Sequence, residues 1–309
     1  MAVSGLGGVQ PASAKVNLFL HAGAKRADGF HPLQSLAVFT ECGDRLEAED
    51  SDDLSLSLQG PFASALADDD NLVLKAARML ADRAGRNVGA KLTLTKNLPV
   101  ASGIGGGSAD AAAALRALAG LWRLDLDEGA LREIAAMLGS DIPVCVSSAP
   151  AFMEGRGEIL TPIAAFPRLP LLLVNPGVAV PTRDVFAMLV DRHGTDLTLP
   201  RGQFNDLADL LRFLEITAND LEAPAIKLQP VIGEVLSELR SLPGALFTRM
   251  SGSGATCFAL MPDDDGCKRA GAFLKKKHPG WWVQSTFVAE TGLVHEDRGQ
   301  DIGPTPDGL

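Results

Sequence analysis

The sequence predicts an α+β protein built in two parts. Its 309 residues exceed the usual span of one domain. Strand-like and helical runs are mixed along it without the strict βαβα alternation of a doubly wound sheet. Its strongest helical run, SADAAAALRALAGLW over residues 108–122, is built from Ala and Leu, among the best helix formers. Apolar residues make up 46% and charged residues 21%, the composition of a chain that can fill a core.

The first ten residues are Gly-rich and read as a frayed end. KVNLFL (15–20) and LQSLAVF (33–39) are short and apolar and predict strands. Between them HAGAKRADGFHP, rich in Gly, Asp and Pro, predicts a loop. DLSLSLQ (53–59) alternates with period two, as a half-buried strand does. A helix follows in which Leu72, Leu74, Ala76, Ala77 and Leu80 recur at helical spacing and Asp70 can cap the start. AKLTLT (90–95) alternates again. Asp127 can cap a helix that stops at Gly139, and DIPVCV (141–146) reads as a further strand.

The second part begins near Pro167. LPLLLV (169–174) predicts a buried strand, and NDLADLLRFLEITANDLEAPAI and residues 230–242 predict helices. The turn SGSGAT leads into a strand, CFAL. GCKRAGAFLKKKHP is helical, with lysines in its last turn where the dipole favours them. Residues 281–289 predict the last strand, and the polar Gly/Pro-rich stretch from Leu293 reads as disordered. The expected division is 11–166, 167–290 and a tail, 291–309.

The formal net charge of −10 argues against nucleic acid or an anionic membrane as the main partner. Cys42, Cys145, Cys257 and Cys267 form no CxxC pair and read as reduced thiols of a cytoplasmic protein. No cationic and apolar leader opens the sequence, and no apolar run approaches the length of a membrane span.

The chemistry concentrates in LPVASGIGGGSADAAAAL. Gly103, Gly105, Gly106 and Gly107 stand between a strand and the Ala-rich helix. A phosphate chain needs main-chain N–H donors at close approach, and glycine leaves room for it. The helix behind adds its unpaired amides and positive dipole end. Ser108, at the expected cap, can donate to phosphate or to a phosphate-bound Mg²⁺, and Asp110 in the first turn suits the dipole. Two better-known glycine motifs do not fit. No Lys follows these glycines as GxxxxGK[ST] requires. GIGGGS also lacks the third glycine of GxGxxG, and Asp125 and Asp127 stand at a helix start rather than a strand end.

PVASGIGGGSADAAAAL resembles the ATP-binding motif of the GHMP kinases, the superfamily of galactokinase, homoserine kinase, mevalonate kinase and phosphomevalonate kinase. ASAKVNLFLHAGAKRADGFHPLQSL and MSGSGATCFAL are similar to its other two motifs. RADGFHPLQS, and LGSDIPVCV followed by AFMEGRGEIL, resemble the signatures of one branch, whose substrate carries a cytidine diphosphate head. The resemblance runs from about residue 11 to 288.

What it implies is a ribosomal-protein-S5-like N-terminal domain and a ferredoxin-like GHMP C-terminal domain, with ATP and substrate meeting in the cleft between them. In that branch ATP, with Mg²⁺ expected, phosphorylates the 2-hydroxyl of a methylerythritol moiety on the non-mevalonate route to isoprenoids. Asp141 matches the catalytic Asp that takes or orients the hydroxyl proton, and Lys15 the catalytic Lys. By themselves, an Asp after LGS reads as a cap and a Lys in a strand as a solvated side chain. The nucleotide motif covers Pro99, Val100, Ala101, Ser102, Gly103, Ile104, Gly105, Gly106, Gly107, Ser108 and Ala109, with Asn71 and Lys96 near the adenine.

Asn17, Phe30, His31, Thr182 and Phe186 match the substrate site, where an aromatic face stacks on cytosine and an imidazole reads its edge. Typical members have Tyr where this chain has Phe30, so stacking is kept and a phenol hydrogen bond is lost. The usual Ser before Thr182 is Pro181. The SGSGA turn, 251–255, comes near substrate and phosphates in the superfamily. No dedicated metal-binding residues are expected, and the molecule is a monomer or homodimer. A nicotinamide enzyme would need the missing fingerprint, and an RNA-binding S5-like module a basic stripe that scattered Lys and Arg do not form.

Overall fold

The computed structural model describes residues 8–66, 71–85, 88–190, 192–200 and 202–291. Strand β1, Gln10–Ala22, is antiparallel to β2, Leu33–Ser51, which is long enough to serve several neighbours. Leu33 to Ala37 of β2 also pair with a later strand, and Arg45 to Ser51 pair with another. At Gly43 the backbones of β1 and β2 almost touch. A Cβ there would lie 2.4 Å from the Ala12 carbonyl oxygen, so only glycine fits beside the register shift between Ser13 and Lys15.

β3, Leu54–Gln59, follows, and then helix α1, Leu72–Ala84. Asn71 caps α1, its side chain accepting from the Val73 amide, whereas Asp70 lies outside the described residues. β4, Gly89–Thr95, is parallel to β3 and antiparallel to β2. Helix α2, Gly106–Leu121, starts two residues before the expected Ser108. It is buried nearly all round, and its alanines allow close approach to β1, β2 and α1. α3, Glu128–Leu138, has the expected caps at Asp127 and Gly139.

DIPVCV is not a strand. It forms a short helix, α4, Ile142–Ser147. A short apolar run reads equally well as either element, and Pro143, in the first turn where its missing N–H costs nothing, starts a helix and would spoil a central strand. β5, Ala151–Gly155, and β6, Ile159–Pro162, form a hairpin from AFMEGRGEIL, and β5 pairs with β2.

The second half contains β7 (Leu169–Asn175), α5 (Thr182–Ala187), α6 (Leu207–Glu215), α7 (Glu222–Leu228) and α8 (Val231–Arg240). β8 (Phe247–Met250), β9 (Cys257–Leu260), α9 (Asp264–Lys277) and β10 (Trp282–Val288) complete it. Its strands run in the order β10-β7-β9-β8, and Val288 of β10 pairs with Thr40 of β2, joining both sheets. Residues from 292 on, including the expected tail, lie outside the described residues.

One core cluster lies between the α1–α4 helices and the first sheet, and another beneath α7, α8 and α9. The cluster that unites the halves is aromatic. Phe152 of β5 meets Phe204 at 6.3 Å and Phe213 of α6 at 5.9 Å between ring centroids. Truncating Phe152 to Ala removes a buried ring from that seam and should cost about 3–5 kcal/mol. Urea unfolding at neutral pH should show a lower midpoint, the shift multiplied by the m-value giving that free energy.

Candidate active site

Side chains two apart on a strand share a face, so Lys15 and Asn17 of β1 point the same way. The Lys15 ammonium lies 3.0 Å from Oδ2 of Asp141. The lysine side chain is 4% exposed and the carboxylate 46%, so a buried cation holds an anion that faces open space. Asp141 can do this because its side chain caps nothing, although it stands at the N-cap of α4. Burial pushes the neighbouring Cys145 thiol up to about 12, so it stays protonated and is no nucleophile.

The Lys15 amide donates to the Ile104 carbonyl at 2.9 Å, which ties the glycine loop to the same strand. The loop turns through left-handed φ at Ala101, Gly103 and Gly105 before α2 begins at Gly106. The amides of Gly106, Gly107 and Ser108 open that helix without partners inside it. Ser108 therefore stands in the first turn rather than at the cap, which is Gly105.

A cleft of about 360 Å³ brings the pieces together. Lys15, Asn17, Ala101, Ser102, Gly103, Gly105 and Asp141 line it, as do Thr182 and Phe186. His31 reaches it through Phe186, the rings stacked at 5.5 Å and 28°. Its Nδ1 donates to the Gly23 carbonyl at 2.9 Å, so the neutral form of the ring presents Nε2 as an acceptor. Phe30 is exposed, with the Arg156 guanidinium 3.7 Å above its ring. Phe186 lies near the end of its short helix, not at the start.

Other expected residues are placed differently. Lys96 is 1% exposed and does not line the cleft. Its ammonium is shared between Asp44, at very short range, and Asp110, at 2.8 Å. This group lies directly under the loop, because a Cβ on Gly106 would be 3.0 Å from the Lys96 nitrogen. Asp110 thus serves this buried cation rather than the helix dipole. Ser102 turns its hydroxyl onto the Pro99 carbonyl at 2.6 Å, and Asn71 spends its side-chain oxygen on the α1 cap. Ile104 and Ala109 are core residues behind the loop.

Further participants lie within the SGSGA turn and the AFMEGRGEIL signature, which by themselves single out none of their residues. Arg156 and Ser253 line the cleft. Ser251, fully buried, accepts from the Asn17 amide at 3.0 Å and donates to the Gly103 carbonyl at 2.9 Å. Gly103 has room only for hydrogen here, since a Cβ would lie 2.6 Å from the Ser251 main-chain carbonyl oxygen. SGSG marks residues 251–254 as a turn, but nothing in it names the turn's partner.

The architecture and this cleft define a class, and comparison with known proteins agrees. The model of the GHMP kinases N terminal domain matches residues 71–149, and that of the GHMP kinases C terminal matches 198–280. The chain belongs to the GHMP kinase family and is a small-molecule kinase with the two-domain fold of that family.

Its relatives narrow the group. The 4-diphosphocytidyl-2-C-methyl-D-erythritol kinase of Parvibaculum lavamentivorans is 50% identical over 281 residues, 89% of this chain and 96% of that one. The protein of the same name from Rhodospirillum rubrum is 47% identical over 288 residues, covering 93% and 94%. A crystal structure of 4-(cytidine 5'-diphospho)-2C-methyl-D-erythritol kinase superposes with a TM-score of 0.76 at 34% identity, over 91% of this chain and all of that one. Mevalonate kinase of L. major, at 18% identity, 0.65 and 95% and 99% coverage, shares the fold.

Burial pushes the Asp110 carboxyl up to about 7; Lys96 opposes this and Asp44 adds to it. Burial alone would lower Lys96, but the two carboxylates outweigh it and hold the ammonium above its ordinary value. Between about pH 4 and 7 the folded protein therefore keeps a proton on Asp110 that the unfolded chain has released. Stability from this group falls as pH rises through that window and is flat above it. Unfolding free energies at pH 5, 6, 7 and 8 should show this decline in the natural protein and a shallower one in Asp110→Asn.

Proposed function

We propose that this protein transfers the γ-phosphoryl group of ATP to the 2-hydroxyl of 4-diphosphocytidyl-2-C-methyl-D-erythritol. The observation that carries the reading is the Lys15–Asp141 pair, opening into a cleft with the glycine loop on one wall and the His31–Phe186 stack on the other. The names of the relatives supply the substrate.

Phosphoryl transfer asks chiefly for positioning and charge neutralisation. The loop amides from Gly103 to Ser108 hold the triphosphate, aided by the positive end of α2. At the other end of the cleft the cytosine lies against Phe30 and the His31–Phe186 stack. His31 Nε2 accepts a hydrogen bond from the base edge. Arg156, over Phe30 and lining the same cleft, faces the diphosphate between base and sugar. Asn17 and Thr182 offer polar contacts to the remainder.

This arrangement delivers the 2-hydroxyl to Asp141. The carboxylate accepts its proton as the oxygen attacks in line, and ADP leaves. Lys15 pairs with Asp141 before the transfer and counters the charge on the moving phosphoryl group. Among the described residues no cluster of three His, Cys, Asp or Glu could cage a metal. Mg²⁺ binds chiefly to substrate phosphates and takes few protein ligands. The Ser108 hydroxyl, in the first turn of α2, would hold it, and its charge would neutralise the β and γ oxygens. The four cysteines are all free, which fits a cytoplasmic enzyme.

A kinase assay with ATP, Mg²⁺ and the cytidyl substrate, run beside homoserine and mevalonate, tests the substrate. Phosphorylation of either alternative in preference would overturn the assignment. Asp141→Asn should bind ATP nearly as the natural enzyme does while its turnover falls at least about 10²-fold. Steady-state kinetics with ATP titration would show both, and unimpaired turnover would remove Asp141 as the base.

A further inference from the structure

The wall segments of the base pocket come from distant parts of the chain. Residues 23–32, after β1, carry Phe30 and His31. Residues from the end of β7 through α5 carry Thr182 and Phe186. Behind them lies Asp220, which belongs to none of the three motifs and does not line the cleft.

Its carboxylate is 1% exposed. Oδ2 accepts from the Ala22 amide at 2.7 Å, where β1 passes into the first wall, and from the His193 amide at 3.1 Å. Oδ1 accepts from Nδ1 of the His193 ring at 2.5 Å. His193 lies just beyond α5, on the continuation of the second wall. Its ring is set by stacking on buried His21 at 4.8 Å and 13°, and His21 in turn accepts from the Ala218 amide at 3.0 Å. One buried carboxylate thus grips the end of one wall and the continuation of the other.

Its neighbour Asn219 extends the grip. The side-chain NH₂ donates to the Met250 and Gly252 carbonyls, both at 2.8 Å. That turn carries Ser253, whose hydroxyl meets Thr182 at 2.8 Å.

We propose that Asp220 is a positioning residue for the substrate's cytosine: it clamps both walls at the separation in which His31 and Phe186 stack. The proposal rests on the cytidyl reading above. A buried carboxylate is costly unless its oxygens are hydrogen-bonded, and here its three donors come from Ala22 and His193. Asn in its place has one acceptor oxygen instead of two, and its NH₂ would face donors.

The clamp predicts a selective defect. Asp220→Asn should raise KM for the cytidyl substrate about 10-fold, the scale of one lost hydrogen bond to a charged group, and leave KM for ATP and kcat within about two-fold. An unchanged substrate KM, or an equal loss in every parameter, overturns it. Should that variant not fold, His193→Ala decides, because this ring is half exposed and its loss removes the ring's bond to Asp220 and its stack on His21 while the main-chain bond and the Ala22 bond stay. It should raise the substrate KM about three-fold without moving KM for ATP, and no change overturns the clamp.

Competition by CDP separates the two levels. If CDP inhibits the natural enzyme and Asp220→Asn equally, the base pocket stands and the clamp falls. If the natural enzyme neither accepts the cytidyl substrate nor is inhibited by CDP, the base pocket falls and takes the clamp with it.

Discussion

A lysine ammonium removed from water must meet a carboxylate, and Lys15 meets Asp141 across 126 positions of sequence. That requirement sets the relation of β1 to α4, and much else follows from it. The same lysine's amide holds the glycine loop through Ile104. On the other side of α4, Arg116 donates to the Cys145 and Val146 carbonyls and to the Pro11 carbonyl of β1. Strand, loop and helix are thereby locked together, and the one carboxylate left half in solvent points into the cleft.

The loop is supported from two further sides, each by different chemistry. From the second half comes main-chain contact: Ser251 and the turn around it press against Gly103, where a side chain would stand in the way. From beneath comes charge: Lys96 with Asp44 and Asp110 lies under Gly106. Asp44 is satisfied in addition by the amides of Asn97 and Leu98, at 2.5 and 2.8 Å, whereas Oδ1 of Asp110 has no partner. The Asp110 carboxyl carries a raised pKa chiefly because it is buried. A loop that must present bare amides to an anion cannot stabilise itself, because its donors are reserved, so its rigidity comes from neighbours.

Much of the fold was legible because local patterns match the final elements. The alternation in AKLTLT, the helical spacing after Asn71 and the caps at Asp127 and Gly139 all formed as their residues dictate. The misses have physical causes. DIPVCV is too short for its apolarity to choose between strand and helix, and Pro143 decided it. The second half of β2 hides its alternation among charges: Asp44, Leu46 and Ala48 are buried, while Arg45, Glu47 and Glu49 face water. The AFMEGRGEIL hairpin bends at glycines with left-handed φ, Gly155 and Gly157, and reads locally as a loop.

By itself, the sequence determined most of the strands and helices, the glycine loop ahead of an Ala-rich helix, and the family those motifs resemble, because each depends on neighbours a few residues away. Without the family motif, local pattern does not separate the surroundings of Lys15 from those of Lys96. Only the tertiary structure decided that one reaches a half-exposed carboxylate in the cleft while the other is sealed between two buried ones. Nor does any local pattern say that Asp220 touches Ala22 and His193. Burial and ion pairing depend on which distant segments are packed side by side, and that choice is made by the core as a whole.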